Sequence, residues 1–250
     1  MSLSISVITP VYNREKTIQR SIRSVQAQSY SCQHIIVDGL STDKTVSLIK
    51  KSLRKNDIFI SEPDNGIYDA INKGIDLASG DVIAILNSDD YYLNGDVLKL
   101  VSNHFSKKTE LVYAGTRYFT REETNYVDYL PYEYNGFGSF VSGWHPPHPS
   151  FFALKRCYEE GGFYNTDLKV AADFELMLRF FETCNFHSRR LNKILVGMSS
   201  GGYSSKWSSI LRGASEIKES FRKNSQEAPK LYFVKRYGKK LVERKLSLWR

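Results

Sequence analysis

No stretch of this sequence is apolar for long enough to span a bilayer. The longest strongly apolar run beside a candidate strand, Val82 to Leu86, falls far short of the roughly 20 residues a spanning helix needs, and the mean hydropathy is −0.39. The first residues show no basic region followed by an apolar run, so the expectation is a protein that stays in the cytoplasm, soluble or peripheral on the inner membrane. Cysteine is scarce. Cys32, Cys157 and Cys184 are odd in number, widely spaced and without a Cys-x-x-Cys pair, which argues against a disulfide framework or a thiol redox site and leaves reduced thiols. His145 and His148 have no partner at zinc-ligand spacing. Internal repeats and low-complexity linkers are absent, and no nucleic-acid-binding motif accompanies the net charge of +8.

That charge is unevenly placed. Eight basic residues fall between Lys230 and Arg250 against one acid, Glu243, so the rest of the 250 residues is nearly neutral. Leu231, Phe233, Val234, Tyr237, Leu241 and Leu248 interleave with these lysines and arginines, a pattern that suits an anionic membrane surface. A basic helix packed on the body is the plainer alternative. The expected organisation is one domain over 1–225, with a first half over 1–106 and a second over 107–225, followed by a basic amphipathic tail over 226–250.

The first ninety residues alternate strand and helix patterns, the signature of parallel βαβ units and an α/β fold. Strands are expected at Ile5 to Thr9, Ile35 to Val37, Ile58 to Ile60 and Val82 to Leu86. Between them, Ile18, Ile22 and Val25, then Val46, Ile49 and Leu53, then Ile67, Ile71, Ile75 and Ala78 form one-faced apolar stripes at helical spacing. Asp43 is an N-cap type before the second helix. Val82 to Leu86 is continuously apolar, as a strand covered on both faces should be. Further on, the expectations are a helix over Val97 to Phe105 and a strand over Leu111 to Tyr118. An irregular aromatic, Gly- and Pro-rich stretch from Tyr126 to Pro149 follows. A helix near Phe174 to Phe181, a strand near Ile194 to Met198 and a helix from about Ser208 to Arg222 complete the body.

In open α/β sheets ligands bind beyond the carboxyl ends of the strands. That rule selects Pro10 to Asn13, Asp38-Gly39, Asp64 to Gly66 and Asn87 to Asp90. Asn87-Ser88-Asp89-Asp90 is the strongest local signal, because adjacent carboxylates in a partly dry site raise each other's pKa unless a cation or a hydroxyl satisfies them. Mg²⁺ or Mn²⁺, bound by one or two carboxylates plus substrate phosphates, resolves the conflict.

Pro10-Val11-Tyr12-Asn13, Val37-Asp38-Gly39-Leu40-Ser41-Thr42-Asp43, Asp64 through Gly74, Leu86 to Asp90, and later Val170-Ala171-Ala172-Asp173-Phe174-Glu175-Leu176 together resemble glycosyltransferase family 2. The resemblance covers roughly the first 100 residues plus the late motif. It implies a GT-A fold, a Rossmann-like, mostly parallel twisted sheet with helices on both faces. It also implies an inverting, metal-dependent, hexosyltransferase-type enzyme of surface polysaccharide assembly. Such an enzyme would take a UDP- or GDP-linked sugar and an acceptor glycan that is lipid-linked, for instance to undecaprenol.

Carried over residue by residue, the resemblance implies that Pro10, Tyr12, Asn13, Asp38 and Asp64 serve the nucleotide. Asn87, Ser88 and Asp90 would hold the donor, and Asp89 would bind the metal. Asp173 would be the general base, taking the proton of the acceptor hydroxyl as it attacks. Each has a plainer alternative: Asp38 and Asp64 as turn residues, and Asp173 as the cap of a helix beginning at Phe174. Asn87 departs from the aspartate many members carry, and Ile71 stands where many relatives place an arginine. His148, and less so His145, could contact acceptor or diphosphate, or simply pack. Trp144 and Tyr126 to Tyr134 offer stacking faces for a sugar, and Ser199 to Ser204, with Gly202, could close over the diphosphate.

Rival readings are a nucleotidyltransferase, which should show a Gly-rich basic loop after the first strand, transfer to a polyprenyl phosphate, and a catalytically inactive partner in a complex.

Overall fold

The computed structural model describes residues 3–120, 124–199, 207–229 and 232. The elements are β1 (Ile5–Val11), α1 (Ile18–Gln26), β2 (Cys32–Asp38), α2 (Thr45–Ser52), β3 (Ile58–Ser61), α3 (Ile67–Leu77), β4 (Val82–Ile85), β5 (Tyr91–Tyr92), α4 (Val97–His104), β6 (Leu111–Phe119), β7 (Tyr126–Tyr129), β8 (Phe151–Leu154), α5 (Lys155–Gly161), α6 (Ala172–Leu178), β9 (Ser188–Ser199) and α7 (Trp207–Lys223). A short 3-10 turn, His148–Ser150, precedes β8, and α6 continues as a π-helical turn over Arg179–Thr183.

The strands form one sheet in the order β3-β2-β1-β4-β8-β6-β9-β5, with β7 paired to β6. β3, β2, β1 and β4 are parallel, as the βαβ pattern requires. From β8 onward the sheet is mixed: β8 runs antiparallel to both β4 and β6, and β9 lies parallel to β6. Successive residues of β4 explain its unbroken apolar run. Ile83 and Ile85 join a core under α3, α6 and α7, whereas Val82 and Ala84 join one on the opposite face with α4 and β9.

Ile71 is 1% exposed and lies in the core with Ile75. Helix α6 starts two residues earlier than the sequence suggests. Its N-cap is Ala171, and Asp173 therefore sits in the first turn and is not the cap. The tail proper lies outside the described residues apart from Tyr232, which is buried against Phe174 and Phe221. Gln226, at the start of the segment assigned to the tail, is also buried and donates to Glu182 at 2.6 Å. The three cysteines are free, and burial pushes the Cys157 thiol up to about 12.

Candidate functional site

Parallel strands present their carboxyl ends at one rim, and there the polar groups of the first half interlock. Asp38, at the end of β2, is fully buried; Oδ1 accepts from the Ser41 hydroxyl at 2.5 Å, and Oδ2 from the Ser61 hydroxyl at 2.6 Å and the Ser41 N–H at 3.1 Å. Its carboxylate thus organises two loops, and the groups it sets at the rim are hydroxyls. Asn13, with φ of 51°, uses its side-chain oxygen to accept the Thr42 N–H at 2.8 Å and ties the β1 loop to the β2 loop. Tyr12, by contrast, is 56% exposed and free to stack on a planar base, while Pro10 is buried within β1 and can only shape the floor. Asp64 accepts the Gly66 N–H through Oδ1 at 2.9 Å, and its Oδ2 stands where a β-carbon on Gly39 would come within 2.2 Å.

Beyond β4 the chain turns sharply, with the Asp90 N–H donating to the Asn87 carbonyl at 3.0 Å. The Asn87 amide donates to Asp90 Oδ2 at 2.9 Å, and Arg20 donates to the Asp89 carbonyl at 3.3 Å. Burial, reinforced by the neighbouring Asp89 charge, drives the Asp90 carboxyl well above the usual carboxylate range. Ser88 is buried in the same turn. Two oxygens stand out: among the described residues, nothing donates to Asn87 Oδ1 or Asp90 Oδ1, although both are buried. A buried oxygen left without a donor is costly, so these two suit a cation or a sugar hydroxyl. The described residues hold no cluster of three or more His, Cys, Asp and Glu side chains able to bind a metal alone. The two oxygens left without donors, beside the Asp89 carboxylate, are of the type a hard ion takes together with phosphates and water.

The second half reaches the same rim. β8 runs antiparallel to β4, so its N-terminal end, preceded by His148, meets the end of β4 that leads to Asn87. His148 Nε2 lies 2.7 Å from the Tyr164 hydroxyl; burial lowers its pKa, and the charge of nearby Asp173 opposes that shift. Tyr164 stacks on Tyr68, whose hydroxyl shares its one proton between Asp173 Oδ1 at 3.2 Å and the Val170 carbonyl at 3.0 Å. Burial, then the Asp173 charge, raises the Tyr68 phenol well above 10, which keeps it a donor. Asp173, Tyr68, Tyr164 and His148 are one cluster.

Trp144 is placed differently from an open stacking platform: its indole meets Tyr113, Tyr134, Phe140 and Phe181, and Nε1 donates to the Tyr132 carbonyl at 2.8 Å. The outward aromatics of this region are Tyr126, Tyr132 and Phe137, with Tyr132 80% exposed. His145 packs its ring against Phe174. Gly202 lies outside the described residues. Sequence reasoning assigned no role to Tyr68, although it lies within the Asp64 to Gly74 motif, or to Tyr164, which nothing local distinguishes among 16 tyrosines.

Comparison with known proteins identifies the family and the fold. Residues 6–168 match the family model described as Glycosyl transferase family 2. An uncharacterized glycosyltransferase of Mycobacterium tuberculosis is 33% identical over 189 residues, 72% of this chain and 70% of the relative. A PGL/p-HBAD biosynthesis glycosyltransferase of Mycobacterium bovis is 25% identical, over 79% of this chain and 77% of that one. Among solved structures, the mannosyltransferase PcManGT from Pyrobaculum calidifontis, in complex with GDP-Man and Mn²⁺, superposes with a TM-score of 0.68 at 18% identity, over 95% of this chain and 70% of that one. S. aureus TarS 1-349 in complex with UDP gives 0.65 at 17% identity, over 88% of this chain and 64% of that one. In a further TarS structure the match spans only 39% of the TarS chain. The fold is that of the GT-A glycosyltransferases, and the chain belongs to glycosyl transferase family 2.

Proposed function

We propose that this protein is an inverting glycosyltransferase that moves a sugar from a nucleoside diphosphate to a hydroxyl of an acceptor glycan. The observation that carries the reading is the hydrogen bond from Tyr68 to Asp173, which ties a carboxylate of the second half to the segment following Asp64. Bound UDP, UDP-GlcNAc and GDP-Man in structures of like fold support a nucleotide-sugar donor.

In this reading Tyr12 stacks on the base, and the loops braced by Asp38 and Asn13 hold the ribose. Asp64, backed against Gly39, sits beside them. Asp89 would hold a divalent cation, with Asn87 Oδ1 and Asp90 Oδ1 serving the ion or the sugar hydroxyls; the ion's contribution would be to neutralise the departing diphosphate. Asp173 takes the proton of the acceptor hydroxyl as its oxygen attacks the anomeric carbon from the side opposite the diphosphate. The bond to the diphosphate breaks as the new bond forms, and a single displacement inverts the configuration. Tyr126, Tyr132 and Phe137 are the faces on which acceptor sugars would stack. No helix among the described residues is long and apolar enough to cross a membrane. Residues 230–250 would hold the protein at an anionic leaflet where lipid-linked acceptors reside.

The test is calorimetric titration with UDP and with GDP, each with and without Mn²⁺, followed by turnover of the matching nucleotide sugars. Metal-dependent binding of one nucleotide and turnover of its sugar are expected. Absence of binding to both would refute the donor reading in favour of an inactive family member, and sugar transfer that survives loss of Asp173 would point to a phosphate acceptor, which needs no base.

A further inference from the structure

Glu216 is an acid on the wrong side of its helix. From residue 211 to the end of α7 the buried positions are Gly213, Glu216, Ile217, Ser220 and Phe221, the i, i+3, i+4, i+7, i+8 stripe of a core-facing helix, and Glu216 is only 8% exposed. A carboxylate in such a stripe is costly unless it is fully hydrogen-bonded. Here it is. Oε1 accepts the Lys169 N–H at 3.0 Å, and Oε2 accepts those of Val170 at 2.8 Å and Ala171 at 2.9 Å. Arg212, one turn earlier, adds its Nε to Oε1 at 3.0 Å.

Three consecutive backbone N–H groups converging on one carboxylate fix the path of a loop more tightly than apolar packing could, because each bond is directional and charge-assisted. The loop so fixed ends at Ala171, the N-cap of α6, two residues before Asp173. Its other side is held by Tyr68, which shares its hydroxyl proton between the Val170 carbonyl and Asp173 itself. Gly213 lets α7 close in, since a β-carbon there would already lie 3.2 Å from Val170 Cγ1. The negative charge also faces the positive end of α6, a favourable placement.

Resting on the reading of Asp173 as the general base, we propose that Glu216 is a positioning residue for that base, holding residues 169–171 so that the Asp173 carboxylate meets the acceptor hydroxyl. Helix α7 lies beyond residue 168, where the family match ends, so this assigns to the C-terminal helix a part in turnover. Glu216 itself touches no reacting atom.

The full chain serves for the test, with hydrolysis of UDP-GlcNAc and GDP-Man in Mn²⁺ as the activity probe, water standing in for the acceptor. Glu216→Gln keeps the volume but turns an amide NH₂ towards groups that are all donors. It should lower kcat at least tenfold while nucleotide affinity stays within twofold. In the Asp173→Asn background the same change should cost nothing more, since Glu216 acts only through the base. Turnover of Glu216→Gln within twofold of wild type would overturn the proposal, as would a full additional loss in the Asp173→Asn background. Amide exchange in the wild-type protein covers the case in which the variant fails to fold. Slow exchange at Lys169, Val170 and Ala171 is required, and fast exchange there would remove the contact on which the proposal stands. Wild-type turnover by Asp173→Asn alone would remove the base reading, a result separate from the exchange measurement.

Discussion

The hydroxyl of Tyr68 donates to the carboxylate of Asp173 at 3.2 Å, a bond between residues 105 positions apart. Tyr68 belongs to the first turn of α3, immediately after the Asp64-Asn65-Gly66 turn, and Asp173 to the first turn of α6. Lys169 reinforces the junction by donating to the Asn65 carbonyl at 3.1 Å. The segment assigned to the nucleotide and the segment assigned to the base are therefore braced against each other.

Removing the proposed base while keeping its shape should separate chemistry from binding. Asp173→Asn is expected to keep its thermal midpoint and its nucleotide affinity and to turn over about 10²–10⁴-fold more slowly. Tyr68→Phe, which deletes one hydrogen bond to a charged group, should cost about tenfold. Steady-state kinetics beside nucleotide titration checks both.

Asp89→Ala should abolish the metal dependence of nucleotide binding, read by calorimetry with and without Mn²⁺. Asn87→Asp should act in the opposite sense. It replaces the amide that donates to Asp90 by a second acid at 2.9 Å, so the variant should be less stable than wild type without metal and should recover when Mn²⁺ is added.

Gly39→Ala tests the close approach at the rim. Its methyl group would stand 2.2 Å from Asp64 Oδ2, so Asp64 or the loop after β2 must shift. Nucleotide affinity should fall by about tenfold, the equivalent of about 1.4 kcal/mol, with little change in the denaturant midpoint.

His34 sets an acid limit on stability. It is fully buried in β2, its Nε2 lies 2.9 Å from the Thr9 hydroxyl, and Nδ1 has no partner among the described residues. Burial lowers its pKa to about 4, partly offset by the charge of Asp57. The unfolded chain takes up a proton near the ordinary histidine value of about 6.5, whereas the folded one resists until about 4. The stability His34 contributes is thus complete above about pH 6.5 and is lost as the pH falls towards 4, by about 3 kcal/mol. Denaturant midpoints measured between pH 7 and 4 should show this slope in wild type and lose it in His34→Gln.

Much of the first half was legible because its signals are local. Apolar stripes at helical spacing gave α1, α2 and α3, and the continuous run from Val82 gave a central strand, since neighbouring side chains on a pleated strand must both find a core. The candidate residues at strand ends followed from the rule that a parallel sheet gathers its carboxyl ends on one rim. The sequence could not indicate that β8, four residues long, inserts between β4 and β6, because antiparallel pairing across some seventy residues leaves no periodic trace. Nor could it tell which polar atoms are already engaged. Asp38 reads as a nucleotide contact or a turn residue, and its oxygens accept from Ser41 and Ser61; Trp144 reads as a platform and proves to be packed among four aromatic rings. Glu216 drew no notice in the sequence, where only the helix from about Ser208 to Arg222 was expected, because its partners lie 45 to 47 residues away. Residue type and spacing determined which groups this chain brings to its rim; only the folded backbone, by setting distances and using up lone pairs, decided which of them are left to meet a ligand.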